Sequence, residues 1–268
     1  HGPLCVGIDP HPSLLEAWDL ADSAAGLRDF ALRTVDAVGG RVGAVKPQSA
    51  FFERHGSAGI AVLEETLAAL RDVGTLSVLD VKRGDIGSTM AGYAQAYLSD
   101  GAPLAADSIT VSPYLGYGSL SPALDLAEAS GRGVFVLALT SNPEGAAVQH
   151  AVNGERAVAA GVVEGVTASN ATASGEGRLG SVGLVVGATV GEAVSRLGID
   201  LLRANGPLLA PGIGAQGAGP AELESVFGSA RRHVLASTSR GVLNAGPSIE
   251  ALRTSALAAT YEAAAALR

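Results

Sequence analysis

Short apolar runs recur along the chain, and each is followed by a stretch in which apolar residues have helical spacing. The runs that predict buried strands cover residues 4–8, 42–45, 76–81, 108–111, 134–139, 182–186, 208–210 and 234–236. The helical stretches cover residues 26–38, 60–73, 88–98, 120–129, 155–169, 192–197, 221–227 and 249–267. Eight strands that alternate with eight helices predict an α/β fold, a (β/α)8 TIM barrel.

A doubly wound open sheet is the alternative fold for the same alternation. A G-x-G-x-x-G turn after the first strand would favour it, but this chain has Gly7-Ile8-Asp9-Pro10-His11 there. No linker or change in composition divides the sequence, so we expect residues 1–268 to form a single barrel domain. The chain begins His1-Gly2-Pro3 without an initiator Met, so we expect a trimmed or disordered N-terminus.

Composition excludes several classes of function. Hydrophobic residues make up 47% of the 268 and aromatic residues only 4%, so the core must be built from Ala, Val, Leu and Ile. The net charge is −8 and no long cluster of Lys and Arg occurs, so we expect no nucleic-acid surface. We also expect no membrane span, because no apolar run reaches about 18 residues. The one cysteine, Cys5, rules out an internal disulfide and fits a reducing, cytoplasmic location.

Three charged residues lie at the end of the third predicted strand. Asp80 and Lys82 are two residues apart, so they point to the same face of an extended chain, and Asp85 lies just beyond them. Two carboxylates beside one ammonium favour its charged form and fix its direction. Such a lysine is a poor Schiff-base nucleophile and a good proton donor. From spacing alone, an ordinary surface ion pair is an equally good interpretation.

The other strand ends favour a catalytic interpretation, because (β/α)8 barrels place their chemistry at the carboxyl ends of the strands. Polar or glycine-rich segments follow five more of the predicted strands: Asp9, Lys46-Pro47-Gln48, Thr140-Ser141-Asn142-Pro143, residues 211–217 and residues 237–241. In a chain with only 16% charged residues, this clustering predicts an active site.

The segments after the last two strands predict a phosphate site, which is a common feature of such barrels. Glycines there let backbone N–H groups approach an anion, and Arg240 can make a bidentate contact with it. The five histidines show no ligand spacing, and no metal-binding motif is present. We therefore expect an anionic substrate and no metal.

These motifs resemble the orotidine 5′-monophosphate decarboxylase family, in its longer bacterial subgroup (type 2). The resemblance runs from the first strand to the eighth. Its most specific parts are Asp80-x-Lys82-x-x-Asp85-Ile86, Val45-Lys46-Pro47-Gln48 and Pro211-Gly212-Ile213-Gly214-Ala215-Gln216-Gly217. It implies a barrel that works as a homodimer without a cofactor. The implied reaction converts orotidine 5′-monophosphate (OMP) to uridine 5′-monophosphate (UMP) and CO2 in pyrimidine biosynthesis.

The resemblance also implies a role for each residue of these motifs. Lys82 would protonate C6 of the pyrimidine as CO2 leaves, and Asp80 would face the substrate carboxylate. Lys46 and Asp9 would bind the ribose hydroxyls, with Lys46 also bridging to Asp80. Many members of the family have Gly where this chain has Ser239.

Further implied positions lie around the pyrimidine, the phosphate and a subunit interface. Asp85 and Thr89 would enter the neighbouring subunit's site, and Ile86 would line the pocket beside the ring. Ser141 would bind the pyrimidine. The positions expected at the phosphate are Pro211, Gln216 and Arg240.

Three alternatives remain open at this point. Related barrels that act on sugar phosphates share Asp-x-Lys-x-x-Asp, but they use magnesium and have an acidic ligand where this chain has Lys46. A Schiff-base aldolase would need a lysine that loses its proton readily, which the flanking carboxylates oppose. A phosphate-binding barrel without catalytic activity would bind its ligand without turnover.

Overall fold

The computed structural model describes residues 1–213 and 218–268 of the chain. Within them, eight parallel strands close into a barrel in the order β1-β2-β3-β4-β5-β8-β9-β10. Their bounds are β1 Leu4–Ile8, β2 Ala44–Pro47, β3 Leu76–Arg83, β4 Ser108–Val111, β5 Gly133–Leu139, β8 Val182–Val186, β9 Leu208–Pro211 and β10 Val234–Thr238. The predicted TIM barrel is therefore confirmed.

Helices surround the barrel and connect its strands. The α-helices are α1 Pro12–Ala17, α2 Ala24–Val38, α3 Ser49–Glu53, α4 Gly56–Asp72, α5 Gly87–Leu98, α6 Ser121–Ala129, α7 Ala146–Gln149, α8 Val158–Ser169, α9 Ala171–Gly175, α10 Ala193–Arg196, α11 Pro220–Phe227, α12 Arg240–Leu243 and α13 Ile249–Ala266. Short 3₁₀ turns cover Tyr117–Leu120, Pro143–Gly145 and Gly228–His233. No helix in the described ranges is both long and apolar enough to cross a membrane.

The interior of the barrel is apolar at the amino ends of its strands. The residues buried together there are Cys5, Ala44, Val78, Phe135, Val185 and Leu209. Because alternate residues of a strand point to the same face, the next inward positions are Lys46 above Ala44 and Asp80 above Val78. The inward-facing side chains of these strands are therefore apolar in the lower part of the barrel and charged at the carboxyl ends.

The pairing of β3 with β4 is irregular at this end. Leu79 pairs with Ile109, and the next registered pair is Arg83 with Val111. Four residue steps of β3 therefore lie opposite two of β4. Lys82, inside this bulge, has a φ of 45°, in the left-handed region that residues other than glycine rarely occupy. Bulges can re-aim side chains, and this one, between Leu79 and Arg83, contains both Asp80 and Lys82.

Several element boundaries differ from the sequence prediction, and two of the differences have a clear cause in strand pairing. Strand β2 is Ala44–Pro47 rather than 42–45, since Lys46 and Pro47 continue the pairing with Gly7 and Ile8 of β1. The helix predicted over 155–169 begins at Val158, because the preceding residues form a small antiparallel hairpin of β6 Val152–Asn153 and β7 Arg156–Ala157.

Candidate active site

A cavity of about 930 Å³ opens at the carboxyl ends of the barrel strands. Its charged and polar lining, within the described ranges, includes Asp9, Lys46, Gln48, Asp80, Lys82, Thr110, Ser141 and Arg240. Below them, apolar side chains such as Leu137, Val185 and Leu209 line the floor. Seven of the positions proposed from the sequence thus line this one cavity, and six of them carry polar side chains: Asp9, Lys46, Asp80, Lys82, Ser141 and Arg240. The seventh is Pro211.

Four charges of alternating sign cross the cavity from β1 to β3. The Lys46 ammonium lies 3.7 Å from Asp9 Oδ1 and 3.2 Å from Asp80 Oδ2. The Lys82 ammonium donates to Asp80 Oδ1 at 2.7 Å. Lys46 and Asp80 are buried, whereas the Lys82 side chain is 46% exposed and faces the cavity. The arrangement holds one ammonium in place and presents the other to a ligand.

The buried part of this network keeps its charges. Burial alone disfavours the ammonium of Lys46, but the facing carboxylates of Asp9 and Asp80 outweigh that effect, and the pKa of Lys46 is raised. Burial likewise disfavours the carboxylate of Asp80, but Lys46 and Lys82 outweigh it, and the pKa of Asp80 is lowered. Beneath them, burial raises the pKa of the Cys5 thiol to about 12, so this sulfur stays protonated.

Ser239 contacts Asp9 across the junction of β10 and β1. Its hydroxyl donates to Asp9 Oδ2. A Cβ on Gly7 would lie 1.9 Å from the Ser239 oxygen, so the hydroxyl fills a space that only glycine leaves open. Asp9 Oδ1, in contrast, is buried without a hydrogen-bond partner in the described part of the chain. One oxygen of Asp9 is thus held by Ser239, and the other faces the Lys46 ammonium at 3.7 Å.

The opposite side of the cavity carries the predicted phosphate residues. Arg240 is the first residue of α12 and is exposed, and Pro211 ends β9. Thr238 and Gly241 also line this side. Gln216 lies outside the described residues.

Ser141 is exposed at the cavity wall beside Thr140. Thr140 is already engaged: its hydroxyl accepts from the Gln149 amide at 2.7 Å, and its backbone N–H donates to Gln149 Oε1 at 2.9 Å. Of the two neighbouring hydroxyls, Ser141 is therefore the one better placed to meet a ligand.

Asp85, Ile86 and Thr89 do not line the cavity of their own chain. Asp85 Oδ1 accepts from the Ile86 backbone N–H at 2.8 Å, and the Ile86 side chain is 62% exposed. Thr89 is exposed in the first turn of α5. All three lie on the surface just beyond β3.

Gln48 and Thr110 are among the polar residues of the cavity that sequence reasoning missed. Gln48, named only as part of a strand end, accepts from Lys46 Nζ at 3.2 Å. Thr110 donates to Asp80 Oδ1 at 2.7 Å. The available signal for Thr110 was the polar alternation Ser108-x-Thr110-x-Ser112, which predicts a polar inner face for β4.

Comparison with known proteins agrees with this geometry. The model of the orotidine 5′-phosphate decarboxylase / HUMPS family matches residues 2–254. An orotidine 5′-phosphate decarboxylase of Streptomyces coelicolor is 61% identical over 257 residues, which are 95% of this chain and 90% of that protein. The enzyme of the same name from Salinispora arenicola is 61% identical over 256 residues, with the same coverage.

Solved structures agree as well. A crystal structure from Streptomyces avermitilis superposes with a TM-score of 0.94 at 59% identity, covering 99% of this chain and 91% of the other. The Leishmania donovani OMP decarboxylase superposes with a TM-score of 0.76 at 32% identity, covering 99% and 94%. The chain therefore belongs to the orotidine 5′-phosphate decarboxylase family.

Proposed function

We propose that Lys82 is the proton donor with which this chain decarboxylates OMP to UMP and CO2. The observation that carries the proposal is the alternating network of Asp9, Lys46, Asp80 and Lys82 at the carboxyl ends of β1 to β3. It presents a fixed ammonium beside a buried carboxylate, which is what a reaction that creates a carbanion requires.

The difficulty of the reaction lies in the charge that it leaves behind. Loss of CO2 from C6 places an electron pair in an sp² orbital, which the ring delocalises poorly. The Lys82 ammonium, held 2.7 Å from Asp80, supplies positive charge where this pair develops and then transfers a proton to C6. Enzymes lower barriers by about 8–23 kcal/mol, and one proton donor contributes only about 10²–10⁴-fold. Preorganised electrostatics must supply much of the remainder.

Asp80 faces the substrate carboxylate in this scheme. Its pKa is lowered despite burial because Lys46 and Lys82 outweigh desolvation, so it is ionised at neutral pH. An ionised Asp80 repels the carboxylate before CO2 leaves and attracts the Lys82 ammonium throughout. Lys46, between Asp80 and Asp9, keeps the two carboxylates from repelling each other.

The ribose and the phosphate have binding groups on either side of this network. Asp9 Oδ1 lies 3.7 Å from the Lys46 ammonium and makes no hydrogen bond in the described part of the chain, and we assign this carboxylate to a ribose hydroxyl. Arg240, with Pro211 and Gln216, would hold the phosphate. Binding energy from a phosphate far from C6 can serve to stabilise the transition state. Ser141 is assigned to the pyrimidine.

A homodimer would complete the site. The residues just beyond β3, Asp85, Ile86 and Thr89, are outside their own cavity, and the β4–α6 connection exposes apolar residues. Tyr114 is 78% exposed and Leu115 52%. A large exposed apolar patch marks a contact surface. We assign this face to a second copy of the chain, with Asp85 and Thr89 entering the partner's site.

We assign the enzyme to the cytoplasm, because its single cysteine is a free thiol and a reducing compartment keeps it so.

The experiment that tests the function is the ultraviolet absorbance of OMP mixed with protein freed of metal by a chelator. We expect a fast fall to the absorbance of UMP, unchanged by further chelator. No fall with OMP, followed by turnover of a sugar phosphate once magnesium is added, would instead place the chain with the metal-dependent barrels of this superfamily.

A further inference from the structure

Thr110 lies beneath the two central residues of the site, on the neighbouring strand β4. Its side chain points into the barrel and it is 1% exposed. The hydroxyl makes two hydrogen bonds across to β3. It donates to Asp80 Oδ1 at 2.7 Å and accepts from the backbone N–H of Lys82 at 2.9 Å. One buried hydroxyl therefore connects the side chain of one catalytic residue with the backbone of the other.

The position of Thr110 relative to the bulge in β3 explains why a hydroxyl is needed there. Regular pairing ends at Leu79 with Ile109 and resumes at Arg83 with Val111, so Thr110 faces the irregular part. At this point of the strand pairing, the Thr110 hydroxyl accepts the hydrogen bond that the Lys82 N–H donates. Beyond the bulge, ordinary backbone bonding returns, with Ser112 N–H donating to the Arg83 carbonyl at 2.8 Å. The side chain thus acts as a backbone acceptor where the ladder is interrupted.

The direction of the Lys82 side chain depends on this bond. With a φ of 45°, Lys82 adopts a backbone conformation that only strong local contacts maintain. The N–H bond to Thr110 is one such contact, and the Nζ bond to Asp80 is another. Because the same hydroxyl also holds Asp80 Oδ1, both ends of Lys82 are fixed relative to one carboxylate.

We infer that Thr110 is a positioning residue of the decarboxylation, whose hydroxyl fixes Asp80 and Lys82 relative to each other across the bulge in β3. At 1% exposed, it acts through Asp80 and Lys82 rather than on the substrate itself. The inference rests on the proposed function and adds to it a residue of β4. A hydrogen bond to an ionised group is worth more than one between neutral groups, so its loss should be measurable in catalysis.

The test compares Thr110→Val, which keeps the shape and removes the hydroxyl, with Thr110→Ser, which keeps the hydroxyl. We expect Thr110→Val to lower kcat by about 10- to 100-fold and to change the Kd for UMP by less than about threefold. UMP lacks the C6 carboxylate, so its binding depends little on the aim of Asp80 and Lys82. Thr110→Ser should bring kcat back to within about fivefold of wild type.

Thr66→Val is the matched control. Thr66 is equally buried, and its hydroxyl donates to the Val62 carbonyl at 2.7 Å in α4, outside the cavity. Thr66→Val should leave kcat unchanged.

The outcomes separate the inference from the proposed function. If the wild-type protein turns over OMP and Thr110→Val has a kcat within about twofold of it, only the inference about Thr110 is overturned. Equal losses in both Thr110 variants, with UMP binding lost in proportion, would show a merely structural role. If wild type does not convert OMP, the proposed function fails first, and the role of Thr110 in it fails too.

Discussion

Lys46 determines the charge balance of the site at the scale of single residues. It is buried between Asp9 and Asp80, and those two carboxylates are what keep it charged there. Removing one member of a buried ion pair leaves the other charge without compensation. In this site the loss would expose two carboxylates to each other within one cavity.

We predict that Lys46→Ala lowers the free energy of unfolding by roughly 3 kcal/mol, as measured by urea denaturation, and abolishes turnover. The pKa of Lys46 is raised, so its contribution is present below the ordinary lysine value of 10.5 and is lost only at higher pH. The pKa of Asp80 is lowered, so its contribution is present above the ordinary value of 3.8 and is lost as pH falls further. The stability difference should therefore hold throughout the range between these two values.

Arg28→Ala is the control for that measurement. Arg28 pairs with Glu65 on the surface, where both side chains are more than 40% exposed. We expect a loss much smaller than that of Lys46→Ala, because solvent screens such pairs. A loss for Lys46→Ala no larger than the loss for Arg28→Ala would contradict the role assigned to the buried network.

Residues of the site differed in how far the sequence revealed them. The sequence allowed four of them to be predicted: Asp9, Lys46, Asp80 and Lys82. Charge at the end of an apolar strand is unusual, and a barrel brings the carboxyl ends of its strands together at one face. Thr110 could not be predicted in this way, since threonine inside a strand is also an ordinary β-former. Only the bulge, which is a property of two paired strands, makes its hydroxyl distinctive.

At the scale of elements, the contact between β1 and β10 joins the ribose side of the cavity to the phosphate side. Ser239 follows β10 and holds Asp9, which follows β1. Gly7 gives Ser239 its space, since a Cβ there would lie 1.9 Å from the hydroxyl oxygen and 3.0 Å from the Ser239 Cβ. Glycine at position 7 and serine at 239 are therefore a matched pair.

We predict that Gly7→Ala lowers stability by about 1–3 kcal/mol through overpacking and weakens OMP binding by displacing the bond to Asp9. The double variant Gly7→Ala/Ser239→Gly should recover most of the stability, because glycine at 239 removes both close contacts. Thermal unfolding and KM are the measurements. Additive losses in the double variant would refute the coupling.

Gly175→Ala is a suitable control for this cycle. Gly175 ends α9, and a Cβ there would have nothing within 4 Å. Alanine is favoured over glycine in helices, so we expect unchanged or slightly raised stability. The contrast separates the effect of a crowded position from that of losing a glycine.

Elements were predicted well where burial decides them. The barrel strands are short, apolar and regularly spaced, and all eight were recognised. The hairpin of β6 and β7 was missed because three of its four paired residues, Val152, Asn153 and Arg156, are exposed and carry no apolar alternation. Strand β2 was placed two residues early, because the buried Lys46 was taken as a polar terminus rather than as part of the strand.

At the scale of the whole molecule, the proposal of a shared site makes activity depend on two copies of the chain. Lys82 would come from one subunit and Asp85 from the other. A closed two-fold dimer then contains two equivalent sites, each built from both chains. The order of strands and helices in the sequence was enough to predict the fold. The dimer interface could not be predicted from that order, because the sequence pattern does not show which surface residues contact a second copy.

We predict that Lys82→Ala and Asp85→Ala are each inactive alone but regain activity when refolded together. Half of the dimers formed would be hybrids with one intact site, so about a quarter of wild-type activity should return. The control is Lys82→Ala refolded with the double variant Lys82→Ala/Asp85→Ala, which forms no intact site. No recovery in the first mixture, or a mass in solution equal to one chain of 26.6 kDa, would contradict the shared site.

Turnover of OMP by Lys82→Ala is the measurement that tests the central claim most directly. The variant should retain its thermal unfolding temperature, because the Lys82 side chain is nearly half exposed. It should also retain its affinity for UMP, because Lys82 acts on C6 during the reaction. Release of CO2, followed in single turnovers, should fall by roughly 10³-fold or more. A folded variant that binds UMP and still releases CO2 within about tenfold of the wild-type rate would show that Lys82 is not the proton donor.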